Sequence, residues 1–171
     1  LADVPESVPV IDTSNYYPLR DGHFAAIDDG QIESEWVQEL IGRPVTKAWN
    51  AVLAGTLRKN GKAAGDPQRT AIPVAGDDAK AKQIAMELVE ATGFDAVDVG
   101  TIAESWRIQP GNPTYCNELT ADELRNALII ADRSLAPRRR DAGMQVMLTF
   151  GDQFDNDDLL RVNRAVTRIS K

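Results

Sequence analysis

Two short apolar runs end in polar residues of the kind that hold a small planar ligand. Val8-Pro9-Val10-Ile11-Asp12 passes into Thr13-Ser14-Asn15, and Pro44-Val45-Thr46-Lys47-Ala48-Trp49 passes into Asn50. Amides and hydroxyls donate and accept hydrogen bonds without a full charge. In an open parallel α/β sheet, ligands sit outside the carboxyl ends of the strands. Two such exits in one sheet therefore suit a carboxamide or ring edge, as in a nicotinamide. For any single Asn or Ser after a strand, a turn or helix cap is the more ordinary role.

The remaining chemistry-bearing residues argue for little else. Asp77-Asp78 stands at a predicted helix start, where capping accounts for it. Asp152, Asp155, Asp157 and Asp158 lack the Gly and the closing Glu of a calcium loop and read as a solvated, helix-capping run. His23 is the single histidine and Cys116 the single cysteine. His23 reads as a surface residue and Cys116 as a partly buried spectator, and no spacing suits zinc. There is no Gly-x-Ser-x-Gly elbow and no Gly-x-Gly-x-x-Gly turn. Hydride transfer between two bound carriers needs orientation and dryness more than a protein base. A pocket of amides, small residues and aromatics is compatible with that chemistry.

The bulk numbers narrow the setting. A chain of 171 residues implies one domain, with room for a small second unit. With 43% hydrophobic and 26% charged residues the chain can form a core. A net charge of −7 opposes binding to phosphate backbones, so no nucleic-acid partner is expected. Arg138-Arg139-Arg140 reads as a solvated linker. No apolar stretch approaches the length of a membrane span, and residues 1–5 do not read as a signal peptide. A lone thiol fits a reducing, cytoplasmic compartment. The absence of an initiator Met implies processing or a longer parent protein.

Alternating strands and helices must position the exits. Strands are expected at Val8 to Asp12, Val45 to Trp49, Thr70 to Ala75 and Phe94 to Val99. A helix capped by Ser34 carries Trp36, Val37, Leu40 and Ile41 and stops at Gly42. Ala51 to Leu57 reads as a short helix, and Tyr16 to Gly30 and Asn60 to Gln68 as loops. Asp77 or Asp78 caps a helix with Ala81, Ile84, Ala85, Leu88 and Val89 on one face. The series implies a parallel sheet. Thr101 to Arg107 reads as helical. A capping box at Thr120–Glu123 opens a helix through Leu124, Ala127, Leu128, Ala131 and Leu135, ended by Pro137. Met144 to Phe150 is open between strand and helix, and Asp155 to Ser170 forms a last amphipathic helix.

Three segments resemble the coenzyme F420-dependent NADP reductase family: Val10-Ile11-Asp12-Thr13-Ser14-Asn15, Lys47-Ala48-Trp49-Asn50-Ala51-Val52-Leu53-Ala54 and Ile72-Pro73-Val74-Ala75-Gly76-Asp77-Asp78. Val97-Asp98-Val99-Gly100 with Ala103-Glu104-Ser105 extends the resemblance to about residue 107. Similar segments occur in the reductase domain of membrane metalloreductases.

The resemblance implies a partial Rossmann-type α/β fold over residues 1–107, the second half of an NADP-binding domain. Residues 108–171 follow as a mainly helical extension and a possible dimerisation region. It implies that Thr13, Ser14, Asn15, Asn50 and Ala51 bind the NADP nicotinamide, with Asn50 positioning nicotinamide or acceptor. Val52, Ala54 and Leu57 would line a cleft for coenzyme F420 or a similar acceptor. The family's Gly-rich phosphate turn has no counterpart here, so on the order of 80–100 residues of preceding βα units are missing. The edge and faces they would cover favour a homodimer. Alternatives are a non-catalytic binding or oligomerisation module, and an NADPH-dependent metalloreductase or small-substrate dehydrogenase.

Overall fold

The structure is a computed structural model that describes residues 1 and 3–169, without the side chain of Asp152. The expected reach of the last helix to Ser170, and the part of Asp152 in the acidic run, lie outside the described residues. Four strands, β1 (Ile11–Asp12), β2 (Thr46–Lys47), β3 (Ala71–Gly76) and β4 (Asp95–Gly100), lie side by side in chain order. The sheet is mixed. β1 and β2 run parallel, with Ile11 opposite Thr46 and Asp12 opposite Lys47. β3 and β4 run parallel, with an irregularity at Val74/Ala75. β2 and β3 are antiparallel, with Thr46 opposite Gly76.

That reversal corrects the wholly parallel series expected from the sequence. Its cause lies in the connection between β2 and β3. The helix there does not cover the sheet face as a crossover helix would. It docks against the start of the last helix instead, with Gly55 on Asn156.

The paired strands are shorter than the apolar runs. Thr46 N donates to Val10 O at 2.9 Å and Ala48 N to Asp12 O at 3.1 Å, which extends the pairing slightly. Before β1 the chain is held by a side chain. The Arg43 guanidinium donates to the carbonyls of Val4, Pro5, Glu6 and Val8 at 2.9–3.3 Å.

The segment expected as loop over residues 16–30 contains two single-turn helices, α1 (Pro18–Asp21) and α2 (Ala25–Asp28). α3 (Glu33–Ile41) starts one residue before Ser34, after Ile32, so Ser34 is not its cap; Gly42 closes it with φ 67°. α4 (Ala54–Lys59) lies three residues later than the helix expected from Ala51. α5 (Ala79–Ala91) is capped by Asp78, which accepts from Ala81 N at 2.7 Å. Asp77 instead accepts from Ile102 N at 3.0 Å.

α5 covers the sheet, and Ala85 and Val89 join Ala48, Ile72, Val74 and Phe94 in the fully buried core. A 310 helix (Ile102–Ile108) follows β4. α6 (Ala121–Ile129) carries the expected capping box of Thr120 and Glu123. Its Leu124 and Ala127 pack with Ala71, Val97 and Leu119.

Pro137 opens a helix rather than ending one. It sits in the first turn of α7 (Ala136–Phe150), where a missing N–H costs nothing. Met144 to Phe150 is therefore helical. Gly111 has φ +88°, and a Cβ there would lie 2.0 Å from Ala136 O, so only glycine fits against α7. α8 (Asn156–Thr167) carries its own capping box at Asp155 and Asp158. Among the described residues no helix is long and apolar enough to cross a membrane.

Candidate functional site

Because β1 and β2 are parallel neighbours, their two exits share one edge of the sheet. Asn15 Nδ2 donates to Asn50 O at 2.8 Å, and Asn50 Nδ2 donates to Asn15 Oδ1 at 3.2 Å. The residues singled out in the sequence are thus brought together, but they are bonded to each other. Asn50 is 2% exposed, and its amide also donates to Ile108 O at 2.8 Å. Its Oδ1 is buried without a partner. Trp49, at φ 58°, turns the chain into Asn50. Ala51 is buried, and its carbonyl accepts from Cys116 N at 3.0 Å. Residues 110–117 are all buried, and of these Tyr115 and Cys116 pack against Ala51 at this part of the edge.

A buried ionic cluster sits beside the exits, and it was not singled out in the sequence. Lys47 is fully buried. Its ammonium donates to Asp12 Oδ2 at 2.9 Å, Ser14 O at 2.7 Å and Glu33 Oε1 at 3.3 Å. Asp12 Oδ1 accepts from Ser14 N at 2.9 Å and Ser14 Oγ at 2.6 Å, and Asp12 Oδ2 also accepts from Ser34 Oγ at 2.8 Å. Ser14 Oγ lies 3.1 Å from Glu33 Oε1.

An ammonium has three protons, and all three find acceptors here. Burial pushes the Asp12 carboxyl upward, but the Lys47 charge and the Ser14 bonds outweigh it and hold the group below its ordinary value. Asp12 and Lys47 looked like ordinary strand-end charges. The usable signal was that both fall in apolar runs, and strands of a parallel sheet are covered on both faces, where a charge must be paired.

An apolar pocket opens on the other side of the β1 exit. It is lined by Ser14, Asn15, Tyr16, Phe24, Trp36 and Val37, among others, and its volume is about 190 Å³. The ring centroids of Tyr16 and Phe24 are 5.5 Å apart, and those of Phe24 and Trp36 are 5.0 Å apart. Tyr16 is fixed by donating to Asp28 Oδ1 at 2.8 Å and accepting from Phe24 N at 3.2 Å. His23 Nδ1 lies 2.9 Å from Asp28 Oδ2. The bonds to Tyr16 and His23 hold the Asp28 carboxyl below its ordinary value. The aromatic wall was missed because Phe24 lies in a segment that read as loop and Trp36 as a core residue of α3.

The other sequence candidates lie elsewhere. Thr13 is exposed. Val52 packs against the Ala48, Ile72 and Val74 core. Ala54 and Leu57 are exposed on α4. In that helix Thr56 donates to Glu118 and accepts from Asn156 Nδ2 at 3.1 Å. None of these four candidates lines the aromatic pocket.

Cys116 is buried beside Tyr115, and burial pushes its thiol up to about 12, so it is no thiolate nucleophile. Burial likewise raises Tyr17, whose hydroxyl donates to that of Tyr115 at 2.9 Å. Among the described residues no group of three or more His, Cys, Asp or Glu side chains could hold a metal.

The arrangement offers an apolar aromatic slot with one polar edge and no free acid–base pair. It can orient one face or edge of a planar ring.

No protein-family profile matches the chain. Among solved structures, protein SMa0349 of Sinorhizobium meliloti aligns with a TM-score of 0.53 and 30% identity, covering 65% of this chain. The chain spans about half of that protein, 54% of its length. This likeness and the layered sheet make the fold Rossmann-like. A structure from Arthrobacter sp. FB24, described as a proposed F420-dependent NADP-reductase, aligns at a TM-score of 0.36 and 30% identity, over 42% of this chain and 32% of that one. That alignment is too loose to bear on this chain. Protein YjhV of Escherichia coli (strain K12) is 36% identical over 102 residues, which is 60% of this chain and 74% of YjhV. The chain belongs to the same family as YjhV.

Proposed function

We propose that the chain carries the nicotinamide and acceptor end of an NADP reductase-type oxidoreductase site. The reaction is hydride transfer between NADP(H) and a deazaflavin such as coenzyme F420, or a similar acceptor. The observation that carries this reading is the juxtaposition of the two parallel exits with the aromatic pocket that Ser14 and Asn15 edge. The strand motifs at Val10 to Asn15 and Lys47 to Ala54 support it through their resemblance to the NADP reductases. Tyr16, Phe24 and Trp36 would flank the ring. Asn50 would act at one remove, by fixing Asn15. The sequence has no Gly-rich turn for the phosphates, so they would be held by residues outside this chain. A homodimer through residues 108–171 belongs to the same proposal.

Titration of the chain with NADPH and with oxidised coenzyme F420 tests it, followed by nicotinamide and deazaflavin fluorescence. Saturable binding that Phe24→Ala abolishes supports the reading. The absence of binding to either carrier, by the chain and by any longer protein containing it, overturns it.

A second reading is a non-catalytic module. The mutual bonding of Asn15 and Asn50 favours it, because those amides are already engaged. A stable dimer by light scattering that binds no carrier would support this second reading. An NADPH-dependent metalloreductase or a dehydrogenase of a small substrate would share the nicotinamide end, and turnover with ferric or cupric chelates would separate the former.

A further inference from the structure

Next to the aromatic pocket lies a second cleft, several of whose donors the chain leaves unused. It opens between the turn joining α2 to α3, the end of the 310 helix and the first turn of α7. Its walls include Tyr16, Glu33, Trp106, Gln109, Arg133 and Arg140, and its volume is about 120 Å³. Tyr16 and Glu33 also line the aromatic pocket, so the two spaces adjoin.

Both carboxylates that line the cleft already hold partners. The Asp28 carboxylate takes the Tyr16 hydroxyl and faces His23, and Glu33 takes the Lys47 ammonium. Several donors do not. Gln109 Nε2 is buried and has no partner, an arrangement that native structures rarely leave unanswered. Arg140 donates through Nε to Asp141 at 2.7 Å, and its side chain is 13% exposed over the Tyr16 ring. Among the described residues its terminal nitrogens make no hydrogen bond. Arg133 donates from one terminal nitrogen to Gly30 O at 2.7 Å, which leaves the rest of its fork available.

A ligand that answers surplus donors must be rich in acceptors and negatively charged. A planar guanidinium fork matches a carboxylate. We propose that this cleft binds a small organic carboxylate through the Gln109 amide and the Arg133 and Arg140 guanidinium groups, with the apolar part of the ligand against Tyr16 and Trp106. The site stands on its own donors and does not depend on the dinucleotide reading.

The test is a titration of the whole chain with sodium propionate, without any nucleotide, followed by 1H–15N NMR. Sodium phosphate, sodium chloride and methylammonium chloride at matched ionic strength are the comparisons. The Gln109 side-chain amide and the Trp106 indole signals should shift saturably with propionate. Gln109→Leu should raise the Kd about tenfold, the weight of one hydrogen bond to a charged group. Arg133→Ala, at an exposed position, should weaken binding with an unchanged fold. Shifts no larger than those with chloride overturn the proposal. Tighter binding of phosphate than of propionate overturns the carboxylate class, and saturable shifts of the same signals by methylammonium overturn the charge assignment.

Discussion

The Lys47 cluster and the Asn15–Asn50 junction adjoin on one sheet edge, yet they are built to different standards. Around Lys47 every ammonium proton and both Asp12 oxygens are matched within 3.3 Å. At the junction the Asn50 Oδ1 is buried with no partner. A buried charge network must be complete, since one missing partner leaves an uncompensated charge. A neutral amide tolerates incompleteness at lower cost. The cluster therefore fixes the edge, and the junction carries the one incomplete polar contact of the two.

The comparison breaks most sharply at Lys47. Lys47→Met should destabilise the chain by about 3–5 kcal/mol, because Asp12 and Glu33 would stay buried without their cation. Urea unfolding checks this, and a loss under about 1 kcal/mol would show that the cluster is hydrated rather than closed.

Acid is the next lever. The Asp12 carboxyl lies below its ordinary value of 3.8 in the folded chain. Its contribution is therefore complete above that value and disappears as pH falls through the lower folded value. Asp12→Asn should lower stability at neutral pH and flatten the acid limb of the stability–pH curve. An unchanged limb would assign the acid sensitivity to other carboxylates.

At the junction the cost should be smaller. Asn50→Leu leaves Ile108 O and Asn15 Oδ1 without their donor, so a loss of about 1–3 kcal/mol is expected. If the proposed reaction holds, turnover with NADPH should fall by more than this stability loss accounts for. Equal damage from Asn50→Leu and Lys47→Met would erase the distinction between the two regions. The smallest effect belongs to Ser14→Ala. Ser14 is exposed and its backbone keeps its bond to Asp12, so only about 1 kcal/mol should be lost in thermal or urea unfolding.

Much of this edge was legible before the structure. The apolar runs located β1 and β2, and the polar residues after them marked the exits. Asp78, Gly42 and the Thr120–Glu123 box marked helix ends through local chemistry, and the structure keeps all three. What stayed hidden depends on tertiary placement. Lys47 reads as solvated until both faces of its strand are covered.

The antiparallel direction of β3 goes with a connection that packs away from the sheet, and its contact of Gly55 with Asn156 joins residues about a hundred apart in sequence. Pro137 ends or begins a helix with equal ease, since the ring is excluded only from the helix interior. The aromatic pocket needed Phe24, from a segment of single-turn helices that no periodicity could announce.

The Arg43 clasp has a mechanical consequence. A strand peels from a sheet bond by bond, with many partly opened states. Among the described residues, the hydrogen bonds that tie the arm over residues 4–8 to the rest of the chain all come from one guanidinium that serves four carbonyls. The arm must therefore let go all at once, when a single side chain changes rotamer, so the approach to β1 behaves as a latch rather than a zipper.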